Sequence, residues 1–233
     1  AKERVHRIGM NQDSLMDFFV YFALGIIVGG RLGYMLIYHF SYFISAPWTV
    51  FYVWNGGMAF HGALVGGLIA TALFATKYSI SVIRLIDFTA PLLPPGLFLG
   101  RLGNFINGEL WGRVTDVSWG MVFPHSDGLV RHPSQLYEML GEGLLLFLLM
   151  DLHRKRSTER HGVLGAWFLI HYGWIRFFLE FFREPDGHLG FVLFDYFSMG
   201  QCLCLLMFIA GLGWLLALHS RNKLISAPTT HLS

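Results

Sequence analysis

The densest polar stretch of the chain is Gly100-Arg101-Leu102-Gly103-Asn104-Phe105-Ile106-Asn107-Gly108-Glu109-Leu110-Trp111-Gly112-Arg113. Arg101, Asn104 and Asn107 recur every three residues, which gathers them on one helical face, and the glycines admit a backbone or ligand at close range. A guanidinium keeps its charge at any physiological pH and grips phosphate or carboxylate through two parallel hydrogen bonds, so the run has the chemistry of an anion site. A re-entrant turn whose asparagines cap a broken helix end is the plainer alternative.

A second polar stripe is Tyr172, Arg176, Glu180 and Arg183, spaced for one helical face and bordered by Phe177, Phe178, Leu179, Phe181 and Phe182. Glu180 can hold either Arg176 or Arg183, leaving the other for an anion, or the set can close as a structural ion pair. His61 follows Gly56-Gly57-Met58-Ala59-Phe60 and precedes Gly62, and is a candidate base or positioning group as well as a packing histidine. His171 lacks such company and reads as structural. Arg131-His132-Pro133-Ser134-Gln135-Leu136-Tyr137-Glu138 reads as a proline-defined helix start with Ser134 as cap. Gly30-Arg31-Leu32-Gly33 and Gly100-Arg101-Leu102-Gly103 form a short repeat that places two arginines at matched depth. Cys202 and Cys204 sit two apart in an apolar run and imply no disulfide. No P-loop, dinucleotide fingerprint, Cys/His metal cluster or G-x-S-x-G elbow occurs, so no metal or cofactor is expected.

The elements that carry these residues are membrane helices. Of 233 residues 54% are hydrophobic and only 14% charged, against about a quarter charged in a soluble domain. The net charge of +2 offers nothing to a nucleic acid. Apolar windows of about 20 residues fit six times, near 15–38, 57–76, 83–107, 134–152, 162–183 and 197–219, within one integral-membrane domain over 1–233. Pro91, Pro94 and Pro95 predict a kinked or broken third span. No cleavable secretory signal is evident after Ala1.

If six spans alternate, eleven of the 17 lysines and arginines, including every lysine, fall on one side. The positive-inside rule makes that side cytoplasmic, with both termini. The six left over are all arginines: Arg31, Arg101, Arg113, Arg131, Arg176 and Arg183. Each is a candidate for an anionic head group or a structural partner of Glu109, Glu138, Glu142 or Glu180. On this topology Arg31, Arg101, Arg176 and His61 come from four spans yet all lie in the outer half of the bilayer.

The Gly100–Arg113 run closely resembles the most distinctive motif of bacterial prolipoprotein diacylglyceryl transferases. The resemblance extends in order through Gly29-Gly30-Arg31-Leu32-Gly33-Tyr34, Trp54-Asn55-Gly56-Gly57-Met58-Ala59-Phe60-His61-Gly62, Arg131–Glu138, and Tyr172-Gly173 to Pro185-Asp186, so it covers essentially the whole chain. It implies an enzyme that transfers diacylglyceryl from phosphatidylglycerol to the lipobox cysteine of a prolipoprotein signal peptide, forming a thioether and releasing glycerol phosphate. It also implies that Arg101 contacts the head group, that Arg176 is a second essential arginine, and that His61 is base or positioning group. Asn104, Glu109, Gly112 and Tyr172 match other sensitive positions.

Residues and resemblance together make His61, Arg101 and Arg176 the expected catalytic group. The expected phospholipid-binding set is Arg31, Arg101, Asn104, Asn107, Glu109, Tyr172, Glu180 and Arg183. The resemblance further implies an all-helical, multi-pass protein of the bacterial inner membrane, with its site in the outer leaflet. Family members typically have seven spans with the N-terminus outside, so this chain reads as if it began after that first helix. Two other readings remain: a transporter for a small organic anion using the same arginines, and a lipid-binding scaffold without catalysis. The transporter predicts polar residues continuing into the inner half, whereas those here cluster outward.

Overall fold

The computed structural model describes Val5, residues 8–37, 40–52, Trp54, 56–124, 126–156, 161–184, 191–193 and 197–226. They form a helical, polytopic membrane protein that divides into two compact units, Ala1–Leu85 and Ile86–Ser233. Gln12–Ile37, Val82–Ile106 and Gly200–Ser220 are long and apolar enough to cross a bilayer, and Gly62–Lys77 and Val163–Leu179 are shorter apolar helices.

In the first unit, α1 (Gln12–Ile37) packs along α3 (Phe60–Lys77), with the short α2 (Phe40–Ser45) and a 3₁₀ turn at Pro47–Phe51 between them. Glycine decides how close α1 and α3 come. Gly25, Gly29 and Gly33 lie one turn apart and face Gly62, Gly66 and Ala70; a Cβ at Gly29 would sit 2.7 Å from the Cα of Gly66, and one at Gly33 2.7 Å from the Cα of Gly62. Small residues that let backbones touch are the usual means by which helices associate in lipid, where apolar side chains gain nothing by leaving one apolar medium for another. At the far end of the pair Phe18 and Phe74 are fully buried, ring on edge. The apolar faces turned outward, such as Leu24, Ile27 and Val28 on α1 and Leu64, Val65 and Leu68 on α3, are those that lipid covers.

In the second unit the proline-bearing span breaks into α4 (Val82–Thr89), a 3₁₀ turn Ala90–Leu92 and α5 (Leu93–Ile106). One long helix follows the segment 107–133: α6 (Ser134–Glu138), a π-helical stretch Met139–Leu145 and α7 (Leu146–Arg156). Then come α8 (Val163–Leu179), the two-stranded pair β1 (Phe191–Leu193) and β2 (Phe197–Ser198), and α9 (Met199–Ser226). Ala90, Leu146, Met150, Leu164 and Ile175 form the core. Asp87 accepts the backbone N–H of Gly165 at 2.9 Å, tying α4 to the start of α8. Ser134 does not cap α6, since its Oγ donates to the carbonyl of Leu110 (3.1 Å) and the cap position is Pro133.

Candidate functional site

The site grows from the π-helical stretch. A π-turn holds about one more residue per turn than an α-turn, so Glu138 and Glu142, four apart, come nearly into line along the axis. Both are fully buried. Gly141 and Gly143 let the neighbouring helices come close to this stretch, because a Cβ on Gly143 would lie 2.6 Å from Phe98 Cβ and one on Gly141 2.8 Å from Leu179. The helix therefore wedges between α5 and α8 and presents its two carboxylates to an arginine on each.

Arg176 of α8 donates from Nη1 to Glu138 (2.6 Å) and Glu142 (3.1 Å), and from Nη2 to Glu180 (2.6 Å) one turn on. Arg101 of α5 meets the same two glutamates from the other side, with Nε 2.8 Å from Glu138 and Nη2 3.3 Å from Glu142. Among the described residues Nη1 of Arg101 has no hydrogen-bond partner, and this side chain keeps 17% of its surface exposed. Buried charges survive only when paired, and here each is.

Three carboxylates face two guanidiniums, and the third, Glu180, has further support. It accepts Ser198 Oγ at 3.1 Å, and a Cβ on Gly200 would sit 2.6 Å from its Oε1, so it lies on the first turn of α9. That turn is closed by a capping box, Ser198 N to Gln201 Oε1 (3.0 Å) and Gln201 N to Ser198 Oγ (3.2 Å). The positive end of the helix dipole offsets part of the surplus negative charge. The pattern S-x-x-Q is a sequence signal for this cap; the π-turn carries no such signal.

One turn beyond Arg101, the end of α5 folds into a second cluster. Glu109 accepts the amides of Asn104 (2.9 Å) and Asn107 (3.4 Å), and its backbone carbonyl takes the Gln135 amide (2.7 Å). From there the chain runs into small bridged segments: Gly112 pairs with Arg183, and Arg131 with both Val114 and Met121. Arg131 fixes this hairpin through Asp127 (2.8 Å), Glu184 (3.0 Å) and the carbonyl of Gly112 (3.0 Å). The Arg131 guanidinium holds the Asp127 carboxyl down to about 2. Tyr172, stacked on Phe168, belongs to the apolar core and lies within Coulombic reach of Arg101, Glu142 and Arg176. Arg183 offers its backbone carbonyl to Arg113 Nε at 2.9 Å.

The structure thus joins Arg101, Arg176 and Glu180 through Glu138 and Glu142, and gathers Asn104, Asn107 and Glu109 beside them. Arg31 and His61 belong to the first unit. Arg31 is 6% exposed; among the described residues its hydrogen bonds go to main-chain carbonyls, those of Thr49 (2.7 Å), Val50 (3.2 Å), Gly57 (3.2 Å) and, more closely, Gly56, and its guanidinium lies over the Tyr34 ring at 6.0 Å. Gly56 and Gly57 both have positive φ, which turns their carbonyls toward it. The backbone of His61 lies in the first turn of α3; its side chain lies outside the described residues. His171 is hydrogen-bonded to His153 at 3.0 Å beside Trp167, a structural setting.

The profile of a family described as prolipoprotein diacylglyceryl transferase matches residues 1–217. A protein of Legionella pneumophila named phosphatidylglycerol--prolipoprotein diacylglyceryl transferase is 51% identical over 210 residues, covering 90% of this chain and 81% of its own. Proteins of the same name from Oleidesulfovibrio alaskensis and Coxiella burnetii are each 53% identical, over 88% and 84% of this chain and 76% and 74% of theirs.

Proposed function

Because the chain belongs to the prolipoprotein diacylglyceryl transferase family, we propose that it transfers the diacylglyceryl group of phosphatidylglycerol to the thiol of a prolipoprotein lipobox cysteine. The carbon–sulfur bond of the thioether forms as the bond from the glyceryl carbon to the phosphate oxygen breaks, and glycerol phosphate leaves with the phosphate. The comparisons lend nothing to the anion-transporter alternative.

The observation that carries the assignment of roles is the half-committed guanidinium of Arg101. Its Nε and Nη2 both donate to Glu142 (3.3 Å each), with Nε also 2.8 Å from Glu138 as an ion pair, and Nη1 has no partner among the described residues, so the side chain is aimed and still able to bind a phosphate oxygen. Arg176, with both terminal nitrogens on carboxylates, acts on the substrate through the glutamates it shares with Arg101. Asn104 and Asn107, steered by Glu109, stand where a polar head group would meet amide groups. Thiolate is the nucleophile, so a base must take the thiol proton, and His61 is the proposed acceptor or the group that positions it. Arg31, Tyr172, Glu180 and Arg183 complete the proposed phospholipid site. Six membrane crossings of a single domain, both termini in the cytoplasm and a site in the outer leaflet complete the arrangement in the inner membrane.

Incubation of the purified protein with phosphatidylglycerol and a lipobox peptide, followed by mass spectrometry of the cysteine, tests the activity. Diacylglyceryl addition is expected, and Arg101→Ala should reduce its rate on the order of 10²-fold or more, the usual loss for one such electrostatic contact. Near-normal turnover in a folded Arg101→Ala protein would remove that residue from the role.

A further inference from the structure

The hairpin around Arg131 in the second unit has an edge without a backbone partner among the described residues. Met121 and Arg131 exchange both backbone hydrogen bonds, each 2.9 Å, so Met121 faces inward. In an antiparallel pair the residues on either side then turn their backbone groups the other way. Accordingly the N–H and C=O of Val122 and the C=O of Gly120 have no partner among the described residues. The side chains along this edge are apolar and exposed, Trp119 at 62%, Met121 at 39% and Val122 at 57%. Val117–Phe123 contains no charged residue and no proline. Exposed edges recruit other strands unless blunted; this one is short and closes two residues on at Pro124, with Val122 as its open position.

The edge is also held in place and continuous with the site. Trp119 Nε1 donates to Tyr137 Oη at 2.6 Å, Arg131 anchors the hairpin as described, and the buried Phe123 packs its ring 6.3 Å from those of Phe105 and Trp111. Phe105 stands one helical turn after Arg101 on α5. A strand laid along Val122 therefore runs beside the end of the helix that carries the open guanidinium.

We propose that this edge receives the extended, apolar segment around the acceptor cysteine as an added strand, paired through its backbone at Val122 and Gly120. The inference rests on the function proposed above and identifies where its peptide substrate docks. Pairing through main-chain groups gives affinity that is indifferent to side chains, as an enzyme acting on many prolipoproteins requires, while shallow contacts to Trp119 and Met121 favour apolar residues at alternate positions.

The test is an N-methyl scan of a lipobox peptide, assayed for thioether formation with the intact protein and phosphatidylglycerol. KM for the peptide should rise about fivefold to tenfold at alternate residues and little between them, as expected for one lost hydrogen bond. Val122→Pro, which removes the N–H, should raise the peptide KM by a similar factor and leave the KM for phosphatidylglycerol unchanged; Val122→Thr should behave as wild type. A flat scan, or equal peptide KM values for Val122→Pro and Val122→Thr, overturns the proposal while leaving the transferase assignment intact. An effect of Val122→Pro on oligomeric state alone would assign the edge to a second copy of the chain and also overturn it. Absence of thioether formation with the unmodified peptide sinks both readings.

Discussion

Arg176 shows how far a residue's meaning depends on what surrounds it. From spacing alone it was one of six arginines available to an anion; in the fold it is the centre of a closed network of three glutamates. Replacement by Met would leave Glu138 and Glu142 buried with Arg101 and strip Glu180 of its ion pair, and breaking a buried pair in this way costs about 3–5 kcal/mol. Thermal unfolding in detergent should show that loss for Arg176→Met, and a stability equal to wild type would mean that the glutamates find other partners. Asp127 behaves differently because it is exposed. Its carboxyl is held down to about 2 by Arg131, below the ordinary value near 4, so its contribution is complete above about pH 4 and fades as pH falls toward 2. Hydrogen exchange of the hairpin should therefore be insensitive to this group between pH 5 and 8 and increase below pH 4, whereas Asp127→Asn should raise exchange at neutral pH and remove that acid step. The types and chain positions of the site residues were readable in advance, Arg101 with Asn104, Asn107 and Glu109 above all. Which arginine keeps an open edge was not, because that is settled largely by Glu138 and Glu142, which lie on a different helix from either arginine.

The helices themselves were legible wherever apolar length and proline placed them, including the break ahead of α5. Two features were not. A π-turn differs from an α-turn by one residue and has no composition of its own, so Glu138 and Glu142 could be named only as possible partners. The contact of α1 with α3 was written as Gly25, Gly29, Gly33 and Gly62, Gly66, but glycines in a membrane helix signal nothing until one knows which helix they face. That contact makes a prediction at its own scale. Gly29→Leu would push a side chain into the Gly66 backbone, an overpacking worth about 1–3 kcal/mol. A lower unfolding temperature in detergent is expected; an unchanged one would show that the backbones separate without cost.

For the molecule in its membrane, the distribution of basic residues bears on orientation and the fold does not. Ser118 and His161 are both exposed, and the proposed topology puts them on opposite sides. In intact cells, Ser118→Cys should react with an externally added, membrane-impermeant maleimide and His161→Cys should not; the reverse pattern would invert the protein. The Gly-Arg-Leu-Gly repeat, which suggested two equivalent arginines, is not a repeat of environment: Gly30 and Gly33 are packed against Met58 and Gly62, whereas Gly100 and Gly103 face open space. Arg101 binds carboxylates and Arg31 binds main-chain carbonyls, and that contrast has a genetic consequence. A lesion at Arg101 leaves partner side chains that a second mutation can alter, so compensating changes at Glu138 or Glu142 are accessible to selection. Every polypeptide presents the same carbonyl at positions 49, 50, 56 and 57 whatever its codons say, so for an Arg31 lesion no allele at those positions can rewrite the accepting atoms to suit a new side chain.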